Sequence, residues 1–260
     1  MVMLATSSGP VKKLSPTAEN IGSKTMLVDA HCHLHEIKDY QPGEVLPVAC
    51  GYSHASNIKT VEIAEKYHVP FALGIAPQSV IKITDLAPLD EWIDYISKQK
   101  PNAIGECGLD YHWATEKQQV EREEITFCRM VELAEKMKLP LVIHARKATK
   151  EVIDTLLLKD FKQRVMFHFF SGSVGDARWA AAHNGLISIT PLHSKERKEA
   201  IKQLPLENIV VETDAPYVVR TPQEVSKAVE YVAEVKQLDF NTVAEQTAKN
   251  ALEFFRFRPV

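Results

Sequence analysis

Eight short runs of β-branched and apolar residues, separated by segments of helical periodicity, occupy the chain from Met26 onward and leave few architectures open. They fall at 26–34, 45–52, 71–76, 103–109, 140–145, 165–170, 186–190 and 208–214. Each run is continuous rather than alternating, which is the pattern of parallel strands covered on both faces. Helical segments are expected at 55–67, 115–138, 147–158, 175–183, 194–204, 222–236 and 241–255. In the second of these, Val120, Phe127, Met130, Ala134 and Met137 recur mostly at spacings of three, four or seven, so one face is apolar. Ser194 and Asn241 are expected N-caps.

Repeated strand–helix units with no second composition block point to a single α/β domain, a (β/α)8 TIM barrel over 26–260. An open doubly wound sheet is the alternative, but no G-x-G-x-x-G follows the first strand. Residues 1–25 carry Ser, Thr, Pro and Lys without a sustained apolar core and are expected to form a flexible leader. No run approaches the ~20 apolar residues of a membrane span, so no membrane partner is expected. With 31 basic and 34 acidic residues the net charge is −3, which excludes a globally basic nucleic-acid coat but not a local phosphate pocket. Cys32, Cys50, Cys107 and Cys128 form no C-x-x-C pair, consistent with a reduced, cytoplasmic setting.

In such a barrel catalytic groups project from the C-terminal ends of the strands. There the first run offers His31 and His33, two apart and hence on one face. The fourth offers Glu106 and Asp110, the fifth His144 and Arg146, the sixth His168, and the eighth Glu212 and Asp214. Each taken singly fits a hydrogen-bonded core residue or a buried ion pair. Four imidazoles and two carboxylates converging from five strands suit a metal site, because such an array is costly to bury without a cation.

Six segments in order, D-A-H-C-H-L, A-I-G-E-C-G-L-D-Y, L-P-L-V-I-H-A-R, F-H-F-F-S-G-S, V-V-E-T-D-A-P-Y and T-A-K-N-A, resemble the TatD family of metal-dependent DNases within the amidohydrolase superfamily. The resemblance implies a hydrolase with two divalent metals (Zn, Mg or Mn). His31, His33 and Asp214 would hold the first, His144 and His168 the second, and Glu106 would bridge them. It also implies phosphodiester hydrolysis, in several members as an exonuclease from the 3′ end. Two departures stand out. The family's G-x-H-P-H reads G-I-A-P-Q here, with Ala76 and Gln78 in place of both histidines. The family's R-G-x-x-N-E-P segment is shortened to 218–222.

Asp214 is the expected general base, with Glu106 as its catalytic companion. Arg146 is expected to meet a phosphate oxygen, or else to form an ion pair at a helix start. Ser171, in the segment 171–173, can offer backbone N–H groups to an anion or form a plain turn. His54 and His193 are rim candidates for substrate contact, and Trp113 can stack on a base or pack on a helix. The low net charge favours DNA ends or short single strands as partners. A small-molecule ester, amide or phosphate ester is the alternative substrate, and a non-catalytic binding scaffold is a third possibility.

Overall fold

The computed structural model describes residues 25–259, so the expected leader falls outside the described residues except for Thr25. Eight strands form one sheet: β1 (Leu27–Cys32), β2 (Val45–Cys50), β3 (Phe71–Leu73), β4 (Ala103–Asp110), β5 (Leu141–Arg146), β6 (Val165–Phe167), β7 (Leu186–Ile189) and β8 (Ile209–Val211). All neighbouring pairs are parallel and follow chain order from β1 to β8. The sheet closes beyond the strand ends, where the His33 N–H donates to the Ala215 carbonyl at 2.7 Å and the Asp214 N–H to the His31 carbonyl at 3.0 Å. Sequential order plus closure makes this a (β/α)8 barrel and excludes the doubly wound alternative.

The helices are α1 (His54–Tyr67), α2 (Pro77–Val80), α3 (Leu89–Lys98), α4 (Lys117–Met137), α5 (Thr149–Leu158), α6 (Val174–Ala182), α7 (Lys195–Gln203), α8 (Ser226–Lys236) and α9 (Phe240–Phe254). Every strand but β1 is followed by a helix. After β1 there is only a single turn, Leu34–Glu36, and the short segment before β2 carries Pro42 and Gly43. The expected helices omit α2 and α3, although Leu89, Trp92, Ile93 and Ile96 of α3 follow the i, i+3, i+4, i+7 pattern. Ser194 caps α7 as expected. Asn241 does not cap α9; Asp239 does, accepting from the Thr242 N–H at 2.9 Å, and Asn241 lies inside the helix.

Alternation along the strands builds two cores. Ile104, Leu141, Ile143, Phe167, Ile187 and Ile209 pack outward against the helices. Ala103, Val142, Met166, Leu186 and Val210 fill the barrel, where Phe254 and Phe255 also pack. Two steps further along the inward face of β5, β6 and β8 lie His144, His168 and Glu212.

Strict alternation would put Glu106 on the same side as Ile104. The pairing register of β4 shifts between Ile104 and Cys107, and a similar shift occurs in β1 between Asp29 and Cys32. The shift in β4 carries Cys107 and Leu109 into the outer core with Ile104 and turns Glu106 inward. Glycine makes this path possible. Gly105 (φ 143) and Gly108 (φ 146) occupy backbone conformations closed to other residues, and a Cβ on Gly108 would collide with the His144 backbone carbonyl. Strands β4 and β5 therefore approach closely where they carry Glu106 and His144.

Candidate functional site

The C-terminal mouth of the barrel opens into a cavity of about 1110 Å³, lined among others by His33, Glu106, Asp110, His144, His168 and Asp214. His31 lies beneath them, fully buried. The six side chains singled out in the sequence are in mutual contact. His31 Nε2 and His33 Nε2 are 3.3 Å apart, and His144 Nδ1 and His168 Nε2 are 3.2 Å apart. Glu106 joins the pairs, with Oε1 2.9 Å from His144 Nδ1 and Oε2 3.6 Å from His33 Nε2. Asp214 Oδ1 lies 3.4 Å from His33 Nε2 and 3.7 Å from His31 Nε2.

Several contacts fix which nitrogens face inward. His33 Nδ1 is 2.9 Å from the Cys50 carbonyl, which can only accept, so this nitrogen carries the proton and Nε2 presents its lone pair. His144 Nε2 donates to Asp110 Oδ2 at 2.9 Å, which leaves Nδ1 facing Glu106. His168 Nδ1 lies 3.4 Å from Glu212 Oε1, whose carboxylate also accepts the Phe169 N–H at 2.6 Å. Asp29 accepts from the Thr213 backbone N–H at 2.8 Å and from the Thr213 hydroxyl, tying β1 to β8 where His31 and Asp214 emerge.

Imidazole lone pairs aimed at one another and at a carboxylate repel unless something positive lies between them. Glu106 Oε2 is buried without a hydrogen-bond partner among the described residues. Three overlapping groups, His31–His33–Glu106, Glu106–His144–His168 and His31–His168–Asp214, each hold donor atoms within 4.8 Å of one another. This nitrogen and oxygen donor set fits a divalent cation. The electrostatics agree. Burial works against charge on Glu106, but the His168 and His144 imidazoles outweigh it and hold its carboxyl well below the usual range. Burial likewise opposes charge on His168, yet Glu106 and Glu212 keep its imidazole well above its ordinary value. A carboxylate held ionised among buried imidazoles is equally suited to a metal ion.

Asp110, offered beside Glu106 at the end of the fourth run, supports the cluster from behind. It is buried, accepts a hydrogen bond from His144, and is itself held by the His112 N–H at 3.0 Å and the Trp113 N–H at 3.2 Å. The signal was its spacing: Glu106, Gly108 and Asp110 share one face of β4. An Asp110→Asn protein should lose about 10–100-fold in divalent-metal affinity while folding normally. Competition against a chromogenic chelator measures this.

Behind Asp110, Glu123 of α4 accepts the Asp110 N–H at 2.9 Å, and its other oxygen is buried without a partner among the described residues. Burial pushes the Glu123 carboxyl up to about 7. The folded protein thus keeps a proton that the unfolded chain has already lost between the ordinary carboxyl value and about 7. This contribution favours folding at acid pH and fades as the pH rises through about 7. Relative to the parent protein, a Glu123→Gln variant should gain about 2–3 kcal/mol of stability between pH 5 and pH 8. Urea unfolding at the two pH values checks it.

The expected substrate contacts divide. Arg146 is exposed at the mouth, forms no ion pair among the described residues, and lies over the Trp113 ring, Cζ to centroid 5.6 Å. Trp113 is 57% exposed, so it presents a ring face rather than packing on a helix. His54 begins α1 and lines the cavity, its ring parallel to Trp92 at 6.0 Å. Ser171 also lines it, but the neighbouring Ser173 N–H is already taken by Asp176 Oδ2 at 2.7 Å in the cap of α6. His193 is stacked on Tyr231 at 3.8 Å and is not among the lining residues. Tyr52, Lys82, Trp92, Arg197 and Tyr217 also line the cavity and were not legible in the sequence, since they come from loops and helices whose path periodicity does not fix. All four cysteines are free, and no helix among the described residues is long and apolar enough to cross a membrane.

Comparison with known proteins gives the same fold and a family. A YjjV structure from Escherichia coli, a TatD homologue, superposes with a TM-score of 0.78 at 21% identity, covering 90% of this chain and 99% of that one. The metal-dependent hydrolase YabD of Bacillus subtilis is 32% identical over 89% of this chain and 99% of its own length. The human deoxyribonuclease TATDN3 is 29% identical over 88% of this chain and 94% of its own. The family model described as TatD related DNase matches residues 28–256, nearly the whole described barrel, and the chain belongs to that family.

Proposed function

We propose that the protein is a metal-dependent hydrolase that cleaves phosphodiester bonds at DNA ends or in short single strands, in a cytoplasmic setting. The observation that carries this reading is the meeting of four imidazoles and two carboxylates at the floor of a cavity whose rim bears Lys82, Arg146 and Trp113. His31, His33 and Asp214 would hold one divalent ion, His144 and His168 a second, with Glu106 shared between them; Zn, Mn and Mg all suit these donors. Bound there, the cations supply Lewis acidity toward a phosphoryl oxygen and a water acidic enough to react near neutral pH.

The chain's own groups do the rest. Asp214 faces the cavity and takes the proton of the attacking water as the new P–O bond forms. That proton passes to the leaving oxygen as the old P–O bond breaks, giving one alcohol and one phosphate monoester. Arg146 neutralises a non-bridging phosphate oxygen, and Trp113 gives a base a face to stack on.

A small ester or phosphate ester is the second reading. It is favoured by Gln78, which stands where the family carries a histidine and whose Oε1 is buried without a partner beside the cavity. The test is a time course on end-labelled single-stranded DNA, beside a panel of small esters, with Zn-, Mn- and Mg-loaded protein. Metal-dependent shortening from one end is expected. DNA left intact under all three metals while a small ester turns over would overturn the nuclease reading.

A further inference from the structure

On the wall of the cavity, Arg197 of α7 is a buried guanidinium with no carboxylate within ion-pair distance among the described residues. It is 5% exposed, yet it forms no ion pair among the described residues. Two of its nitrogens are anchored on backbone. Nε donates to the Phe170 carbonyl at 3.1 Å and Nη1 to the Leu192 carbonyl. Its own N–H is held by Ser194 Oγ at 3.1 Å, and the Phe169 ring lies 5.3 Å from its Cζ. Nη2 has no partner among the described residues, and Arg197 lines the same cavity as His168, Phe169 and Ser171.

Glu212 and Glu196 act on this charge only through space, and burial outweighs them, so a permanent charge withdrawn from water without a paired carboxylate is stabilised further by a ligand of opposite sign. Two backbone carbonyls satisfy hydrogen bonds but neutralise nothing. They do fix the fork, so that the remaining edge of the guanidinium is presented rigidly to the cavity, the arrangement that suits a phosphate oxygen. Arg146, by contrast, is exposed, and its head is solvated at the mouth.

We infer that Arg197 is a specificity-determining residue that receives a second, non-reacting phosphate of the substrate, adjacent on the strand to the one being cleaved. The inference rests on the phosphodiesterase reading and adds to it a requirement for at least two phosphates. It explains how a chain of net charge −3 can select a nucleic-acid end: by one desolvated cation at a fixed place rather than by a basic surface.

The test compares a thymidine dinucleotide with and without a 5′-terminal phosphate as substrates of the metal-loaded full chain. The parent enzyme should favour the phosphorylated form about tenfold in kcat/KM, through KM, as expected for one charge-assisted fork. In Arg197→Gln that ratio should fall to about one, and Arg197→Lys, which keeps the charge but not the fork, should retain only part of it. A ratio near one in the parent, or an undiminished ratio in R197Q, overturns the inference. If R197Q fails to fold because the Phe170 and Leu192 carbonyls lose their donors, the R197K comparison decides on the same criterion.

If the parent cleaves neither dinucleotide, it is the nuclease reading that has failed. Arg197 is then judged by inorganic phosphate alone. A phosphate-dependent rise in Tm that the variant lacks supports the anion site, and equal rises in both proteins overturn it.

Discussion

An Asp214→Asn protein should fold, take up metal more weakly, and lose about 10³–10⁴-fold in kcat, the scale expected when a general base is removed. The substitution is unusually clean at this position. Asp214 has φ 49, in the left-handed region, and asparagine tolerates that conformation as well as aspartate does. The Asp214 N–H to His31 carbonyl bond and the Tyr217 N–H to Asp214 carbonyl bond at 2.8 Å use backbone only, so the amide leaves them untouched. What changes is the ability to take a proton from water, and one anionic oxygen 3.4 Å from His33 Nε2. Single-turnover kinetics on end-labelled DNA, with Tm recorded in parallel, separate chemistry from folding. Turnover within tenfold of the parent would remove Asp214 from the proton-transfer step.

A Glu106→Gln protein should lose both metal capacity and activity, the latter by at least about 10³-fold. Glu106 is 2% exposed and within 3.7 Å of all four imidazoles, the only carboxylate among the described residues so placed. Its amide keeps the shape but halves the number of good donor oxygens and removes the charge that offsets His144 and His168. Metal per chain, counted by mass spectrometry after gel filtration, should fall below that of the parent protein, from two to one or none on the proposed two-ion reading. Two ions retained by E106Q would show that the carboxylate is not shared between them.

The barrel was legible because each strand announces itself. Val142, Met166 and Val210 lie in unbroken apolar runs, and the inward step of two residues from each lands on His144, His168 and Glu212. His31 and His33 were legible for the same reason, their spacing being that of one strand face. The missed α3 has a readable apolar stripe. It lies past a helix of only four residues, in a segment whose Pro and polar residues mask the boundary. The misplaced cap of α9 is similar: Asp239 and Asn241 are both competent caps, and only the path of the chain selects between them.

The amino-acid order alone determined the eight strand runs, most of the helices between them, the end of the barrel where the candidate site lies, and the residue types offered there, because apolar runs, period-two alternation and residue type are local properties. The tertiary structure alone decided that Glu106 faces inward, since that depends on register shifts against β5 which no periodicity in β4 reveals. It likewise set Asp110 to accept a hydrogen bond from His144, set His193 against Tyr231, and brought Arg197 to the cavity wall without an ion-pair partner among the described residues. Each of these is a meeting of groups distant along the chain, and only the closed barrel fixes the distances between them.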